Sequence, residues 1–204
     1  MAQTQADAPP AEPTAAAIID VDVHPVLDPT RLAARLPQPW RRRFESGNRG
    51  PGGPGGYWNP NGVRRSDAVL DDGEEIANHP RSLIERFLDP HGIAACVLNL
   101  DGTSFTMSPE AEFAAAAVSA ANDAMVEEWL EADGRFRASV LVSPTDPVRA
   151  AAEVRRVGSH PGFVQVMLPS GSPMGFGHRW YDPIYEAAAE CGLPMAVHPG
   201  TEGV

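Results

Sequence analysis

From residue 93 onward the chain alternates short apolar runs with Ala- and Glu-rich stretches, and this alternation constrains the fold more than any other feature. The runs are 93–100 (IAACVLNL), 137–142 (RASVLV), 163–168 (FVQVML) and 193–198 (LPMAVH), and residues 17–24 form an earlier one. Helical stretches lie between them at 109–132, 146–157 and 183–191. The first is expected to open on Ser108 as N-cap with Pro109 at the first helical position, and the last to end at Gly192. Strands that alternate with helices in this way predict βαβ units and a parallel sheet. The near-continuous apolar character of the runs agrees, because parallel strands are covered on both faces. A (β/α) barrel and a doubly wound open sheet both fit. No G-x-G-x-x-G follows the first strand, so a dinucleotide-binding domain has no motif support.

Residues 25–79 interrupt the rhythm as a long insertion after strand one. It holds a short helix at 29–36 and a Gly/Pro-rich stretch from Gly47 to Gly62, expected to be mobile, in which Tyr57 and Trp58 could cover a site or anchor a surface excursion. Residues 1–16, rich in Ala, Pro, Thr and Gln, read as a disordered tail with neither the basic nor the apolar region of a signal peptide. The domain proper is 17–204.

Composition narrows the partners. A net charge of −11 argues against a nucleic-acid backbone, which calls for clustered Lys and Arg. The run Arg41-Arg42-Arg43 is too short to reverse this and reads as a solvated face. No apolar stretch has the length of a membrane span. Cys96 and Cys191 form no C-x-x-C pair and sit in or beside apolar runs as small hydrophobes, which fits a reducing, cytoplasmic setting. The expected partners are a small-molecule substrate and, at most, further copies of the chain.

Strand one (IIDVDVHP, 18–25) carries the chemistry. Its period-two alternation puts Asp20, Asp22 and His24 on one face and Val21 and Val23 on the other. Ionisable groups aligned on an otherwise apolar strand need partners, and a divalent cation is a strong one; the alternative is a polar face turned to water. In parallel α/β folds ligands bind at the carboxyl ends of the strands. Asp22 and His24 lie at that end of strand one, Asn99 and Asp101 near that end of strand two, and His198 ends strand five. One carboxylate with two imidazoles suits Zn²⁺, Mn²⁺ or Fe²⁺. Asp20 lies deeper and is expected to hold hydrogen bonds within the barrel.

On these residues the chain resembles the amidohydrolase-related family. The resemblance rests on Asp22-Val23-His24, on His198-Pro199-Gly200, and on WYDPIYEAA (180–188) leading to Cys191-Gly192-Leu193-Pro194. The segment 81–100 (RSLIERFLDPHGIAACVLNL) looks like the family's first helix and second strand. Family members include metal-dependent TIM-barrel hydrolases and non-oxidative decarboxylases of the aminocarboxymuconate semialdehyde type. The resemblance implies a TIM-barrel portion of about five of the eight βα units. It also implies one divalent ion, zinc first with Mn or Fe as alternatives, held by Asp22, His24 and His198 and acting as a Lewis acid. The family's further His after strand six and Asp after strand eight have no counterpart before residue 204, so the general acid/base is expected outside this sequence. Hydrolysis of a small, carboxylate-bearing molecule by metal-activated water is the leading expectation, and non-oxidative decarboxylation the second.

His178 and Arg179, in the loop after strand four, are candidates to meet an anionic substrate group. His79 and His91 sit by turns and are expected to be exposed, and His160 precedes strand four at its amino end, the wrong end for a site. Two rivals remain: a non-catalytic truncated barrel, and a complete flavodoxin-like sheet, which would not bring His198 near His24. No G-x-S-x-G or P-loop is present.

Overall fold

Strand β1 (Ile18–Val23) is the first of five parallel strands, followed by β2 (Ile93–Leu98), β3 (Phe136–Leu141), β4 (Phe163–Pro169) and β5 (Met195–His198). The structure, a computed structural model, describes residues 17–48, 68–71, 73–100 and 104–199. The expected tail, Tyr57 and Trp58 with most of 47–62, and Asp101 lie outside the described residues. The strands lie side by side in chain order, β1-β2-β3-β4-β5. Each therefore pairs with the next, as in a singly wound barrel wall; in a doubly wound sheet the order reverses at a switch point. The registers include Val23 opposite Leu98, Leu98 opposite Ala138, Ser139 opposite Gln165 and Pro169 opposite His198.

Curvature separates the two architectures decisively. Were the sheet flat, four strand spacings would hold β1 and β5 about 19 Å apart. Instead the rings of His24, just past β1, and His198 meet edge to face with centroids 4.9 Å apart. The sheet therefore curls until its first and last strands face each other across a half-barrel, and the flavodoxin-like alternative is excluded.

The helices pack on the convex side. Helix α1 (Pro29–Arg35) and α2 (Trp40–Glu45) follow β1. A helical run follows, made of α3 (Pro80–Leu83), a π-helical turn at Ile84–Leu88 and α4 (Asp89–His91). Helix α5 (Ala111–Met125) continues into a π-helical turn at Val126–Leu130, and α6 (Pro147–Val157) and α7 (Asp182–Glu190) complete the set. The start of α6 follows from its sequence. Pro147 is at the first position, and the Asp146 carboxylate accepts from the Val148 and Arg149 amides at 3.2 and 3.1 Å. Helix α6 buries Ala150, Ala151, Val154 and Val157. Helix α7 ends in a Schellman turn: Gly192 takes φ 68°, its amide reaches Ala189 O, and the Leu193 amide reaches Ala188 O. Phe113, Trp129 and Phe136 are fully buried between α5 and the sheet.

Two expectations are corrected. Ser108 is not the N-cap of α5; the cap position is Glu110, and the helix starts at Ala111. The Ser108 hydroxyl is instead buried, taking a 3.2 Å bond from Arg43 and a 3.3 Å bond from the Glu110 amide, while the backbone at Glu110 is still extended. The arginine run is not a solvated face either. Arg41 donates to the carbonyls of Ala33 and Ala34 at the end of α1. Arg43 pairs with Glu110 and lies 4.0 Å from the Phe113 ring centre. Only Arg42 is exposed. These contacts fasten the start of the insertion to the core, with Phe44 packed near Phe105.

Candidate metal centre

The strand-end residues singled out in the sequence converge. Asp22, His24 and His198 each offer one ligand atom, and these atoms lie within 4.8 Å of one another. The Asp22 carboxylate oxygen Oδ1 is 3.5 Å from His24 Nε2 and 3.3 Å from His198 Nε2. β1 and β5 are far apart in sequence; only the curl of the sheet brings them together. The pairing of β1 with β2 shifts register between Asp20 and Val23, an irregularity at the position of Asp22.

The donor set fits a divalent ion on the evidence of its own hydrogen bonds. A His ligand binds through one ring nitrogen while the other is fixed by a neighbouring acceptor. His24 Nδ1 lies 3.0 Å from Asn99 O, and His198 Nδ1 lies 2.6 Å from Pro199 O. With Nδ1–H donating to a carbonyl in each case, both Nε2 lone pairs face Asp22. Burial pushes the Asp22 pKa up. The hydrogen bond from the Asn99 amide, with any positive charge the two histidines carry, outweighs that and holds the carboxyl below its ordinary value, so it is an anion at neutral pH.

Asp20 stands outside this group; its carboxylate accepts the Asp22 amide at 3.1 Å. His178 caps the short turn Arg179–Tyr181, its Nδ1 accepting from the Trp180 amide at 3.0 Å. The Arg179 side chain is 94% exposed and pairs with Asp182 at 3.3 Å. The remaining described histidines do local work. His79 caps α3, His91 bonds Phe87 O, and His160 accepts the Gly162 amide.

Three polar residues that the sequence reading left without a role lie behind the centre. The Asn99 amide donates to Asp22 Oδ1 at 2.9 Å and to Val21 O at 3.1 Å. The Ser139 hydroxyl donates to Asn99 Oδ1 at 2.5 Å, and Gln165 Nε2 donates to Ser139 Oγ at 2.8 Å. The available signal was a polar residue inside each apolar run: Asn99 in IAACVLNL, Ser139 in RASVLV and Gln165 in FVQVML.

A five-stranded parallel half-barrel with a carboxylate and two imidazoles at one end defines a class, and comparison with known proteins gives the family. The chain belongs to the amidohydrolase family, whose model matches residues 19–203. It is similar to the gamma-resorcylate decarboxylase of Rhodococcus jostii, 27% identical over 124 residues, a match covering 56% of this chain and 38% of that protein. Among solved structures it resembles 5-carboxyvanillate decarboxylase from Novosphingobium aromaticivorans, complexed with manganese and 4-hydroxy-3-methoxy-5-nitrobenzoic acid. That match has a TM-score of 0.66 at 20% identity and covers 92% of this chain and 51% of the other. It also resembles 2,6-dihydroxybenzoate decarboxylase from Rhizobium, with a TM-score of 0.59 at 20% identity, covering 90% of this chain and 50% of that one. The chain thus spans about half the length of the solved relatives, and the structural likeness shows the half-barrel fold.

Proposed function

We propose that this chain carries the metal-binding half of a non-oxidative decarboxylase acting on a hydroxylated aromatic carboxylate. The observation that carries the reading is the convergence of Asp22, His24 and His198 at the carboxyl end of the half-barrel. The hydrolase reading, placed first on sequence, now stands second, because the curated and solved relatives named above are decarboxylases.

Asp22, His24 and His198 would hold one divalent ion. When bound, such an ion supplies Lewis acidity and a fixed anchor for substrate oxygens. Manganese in a solved relative puts Mn²⁺ beside Zn²⁺ as the candidate. The protein's part is to hold its ligands ready: carbonyls fix the two imidazoles, and the hydrogen bond from Asn99 orients the Asp22 carboxylate and favours its charged form. His178 and Arg179 are assigned to an anionic group of the substrate. They lie in the connection that leaves the carboxyl end of β4, and the exposed Arg179–Asp182 pair is weak enough to exchange for a ligand. Loss of CO₂ leaves the bonding electron pair on the ring carbon, which then takes up a proton. The three ligands are committed to the ion, so that proton comes from another residue.

The test has two parts. Metal analysis should find about one divalent ion per chain, and Asp22→Ala and His24→Ala should each abolish it. Unchanged metal content in both variants would place the site elsewhere. The full gene product, incubated with 2,6-dihydroxybenzoate, should release CO₂ with a matching loss of the acid's ultraviolet absorbance. Hydrolysis of an ester or amide substrate without CO₂ release would return the hydrolase reading to first place.

A further inference from the structure

The inner wall of the half-barrel carries a polar chain that crosses four strands in order. It begins at Gln165 in β4, passes through Ser139 in β3 and Asn99 just after β2, and ends on Asp22 in β1. Asn99 is 5% exposed and Ser139 4% exposed. Burying amides and hydroxyls in an apolar wall costs free energy, which their hydrogen bonds must offset. Apolar residues would fill the same wall without that cost, so the chain calls for a purpose.

Its direction supplies one. The nitrogen end of the Asn99 amide faces two acceptors, Val21 O and Asp22 Oδ1. Its oxygen end faces the Ser139 hydroxyl. Flipping the amide would set its oxygen against a carbonyl and a carboxylate, so the orientation is settled by chemistry. Ser139 in turn receives the Gln165 amide on its oxygen, which leaves the hydroxyl proton for Asn99. Every donor in the chain thus points toward Asp22. Asn99 also reaches the second ligand, because its backbone carbonyl takes His24 Nδ1 at 3.0 Å. One residue therefore holds two of the three ligands, and its backbone N–H also donates to the residue between them, from Asn99 N to Val23 O at 2.8 Å.

We propose that Asn99 is the positioning residue of the metal centre, and that Ser139 and Gln165 fix the direction of its amide. The inference rests on Asp22, His24 and His198 being the ligands. Asn99 orients the Asp22 carboxylate with its side chain and the His24 ring with its main chain. Substitution of Asn99 removes the first of these and leaves the second.

The test titrates metal-free protein with Mn²⁺ and with Zn²⁺ by calorimetry, and records the visible spectrum of the Co²⁺-substituted protein. Circular dichroism checks the fold of each variant. The unsubstituted chain should bind about one ion. Asn99→Ala should weaken binding about 10- to 100-fold at unchanged stoichiometry, the usual cost of losing a partner that orients a ligand. Its Co²⁺ spectrum should shift, which a loss of general stability would not produce. Ser139→Ala, a smaller change that leaves both ligands and Asn99 in place, should weaken binding about fivefold, the worth of one hydrogen bond. If the unsubstituted chain binds no metal, the ligand assignment falls and this inference falls with it. If it binds and Asn99→Ala binds as tightly with the same spectrum, only the positioning role is overturned. Should Asn99→Ala fail to fold, Ser139→Ala decides, and unchanged affinity there overturns the proposal.

Discussion

Replacing Asn122 with alanine is expected to destabilise the chain by about 3 kcal/mol, because it strips partners from two buried backbone groups at once. Asn122 is fully buried on α5. Its Oδ1 accepts the Leu141 amide at 3.0 Å, and its Nδ2 donates to Leu141 O at 3.0 Å and to Glu153 Oε1 at 2.8 Å. The side-chain amide thus stands in for a neighbouring strand at the end of β3. Leu141 is 2% exposed, so water has little access to the groups left behind. Each buried, unpaired backbone group costs about 1–3 kcal/mol. Glu153 keeps its bonds from Ser119 and Arg156, so the third loss is small. Urea unfolding followed by circular dichroism measures the difference, with Glu112→Ala as reference. That variant breaks only the exposed pair with Arg149 and should cost about 0.5 kcal/mol or less. If Asn122→Ala costs no more than Glu112→Ala, then water or a backbone shift replaces the amide, and the reasoning from buried unpaired groups is wrong here.

Three further outcomes are expected. Burial pushes the Glu153 pKa up, but bonds from Arg156, Asn122 and Ser119 bring it below the ordinary value of 4.5. Its stabilising effect is therefore complete above that value and lost as pH falls through the lower folded value. Urea midpoints between neutral pH and pH 3 should show a smaller acid-induced loss in Glu153→Gln than in the parent, and equal losses would refute the linkage. Ile18, Ile19 and Val21 on β1 and Val197 on β5 are each more than half exposed, and covering one is worth about 1 kcal/mol. The 204-residue chain should therefore self-associate in sedimentation velocity, and Val21→Lys with Ile19→Lys should weaken that; a parent monomeric at high concentration would contradict it. At Gly158 an added Cβ would lie 2.5 Å from Val154 O and 2.9 Å from Cys191 Sγ, so Gly158→Ala should cost about 1–3 kcal/mol, and an unchanged melting temperature would show that α6 and α7 yield there.

The sequence by itself determined the succession of five strands, the helices between them and the identity of the three converging side chains. Those features are local: hydrophobic period, Pro147 with the Asp146 cap, and Gly192 at a helix end are written within a few residues of where they act. Tertiary structure decided what depends on distant partners. Ser108 reads as a cap until Arg43, far away in sequence, takes its hydroxyl. Arg41 and Arg43 read as solvated until α1, Glu110 and Phe113 surround them. Cys96 did read correctly as a small hydrophobe, and its burial pushes the thiol pKa up to about 12. The role of Asn99 needed the order of the strands, since its partners Asp22, His24 and Ser139 come from β1, the residue after it and β3, on either side of β2. A strand's pattern says which face a side chain takes, but only the closing curve of the sheet says what it meets on that face.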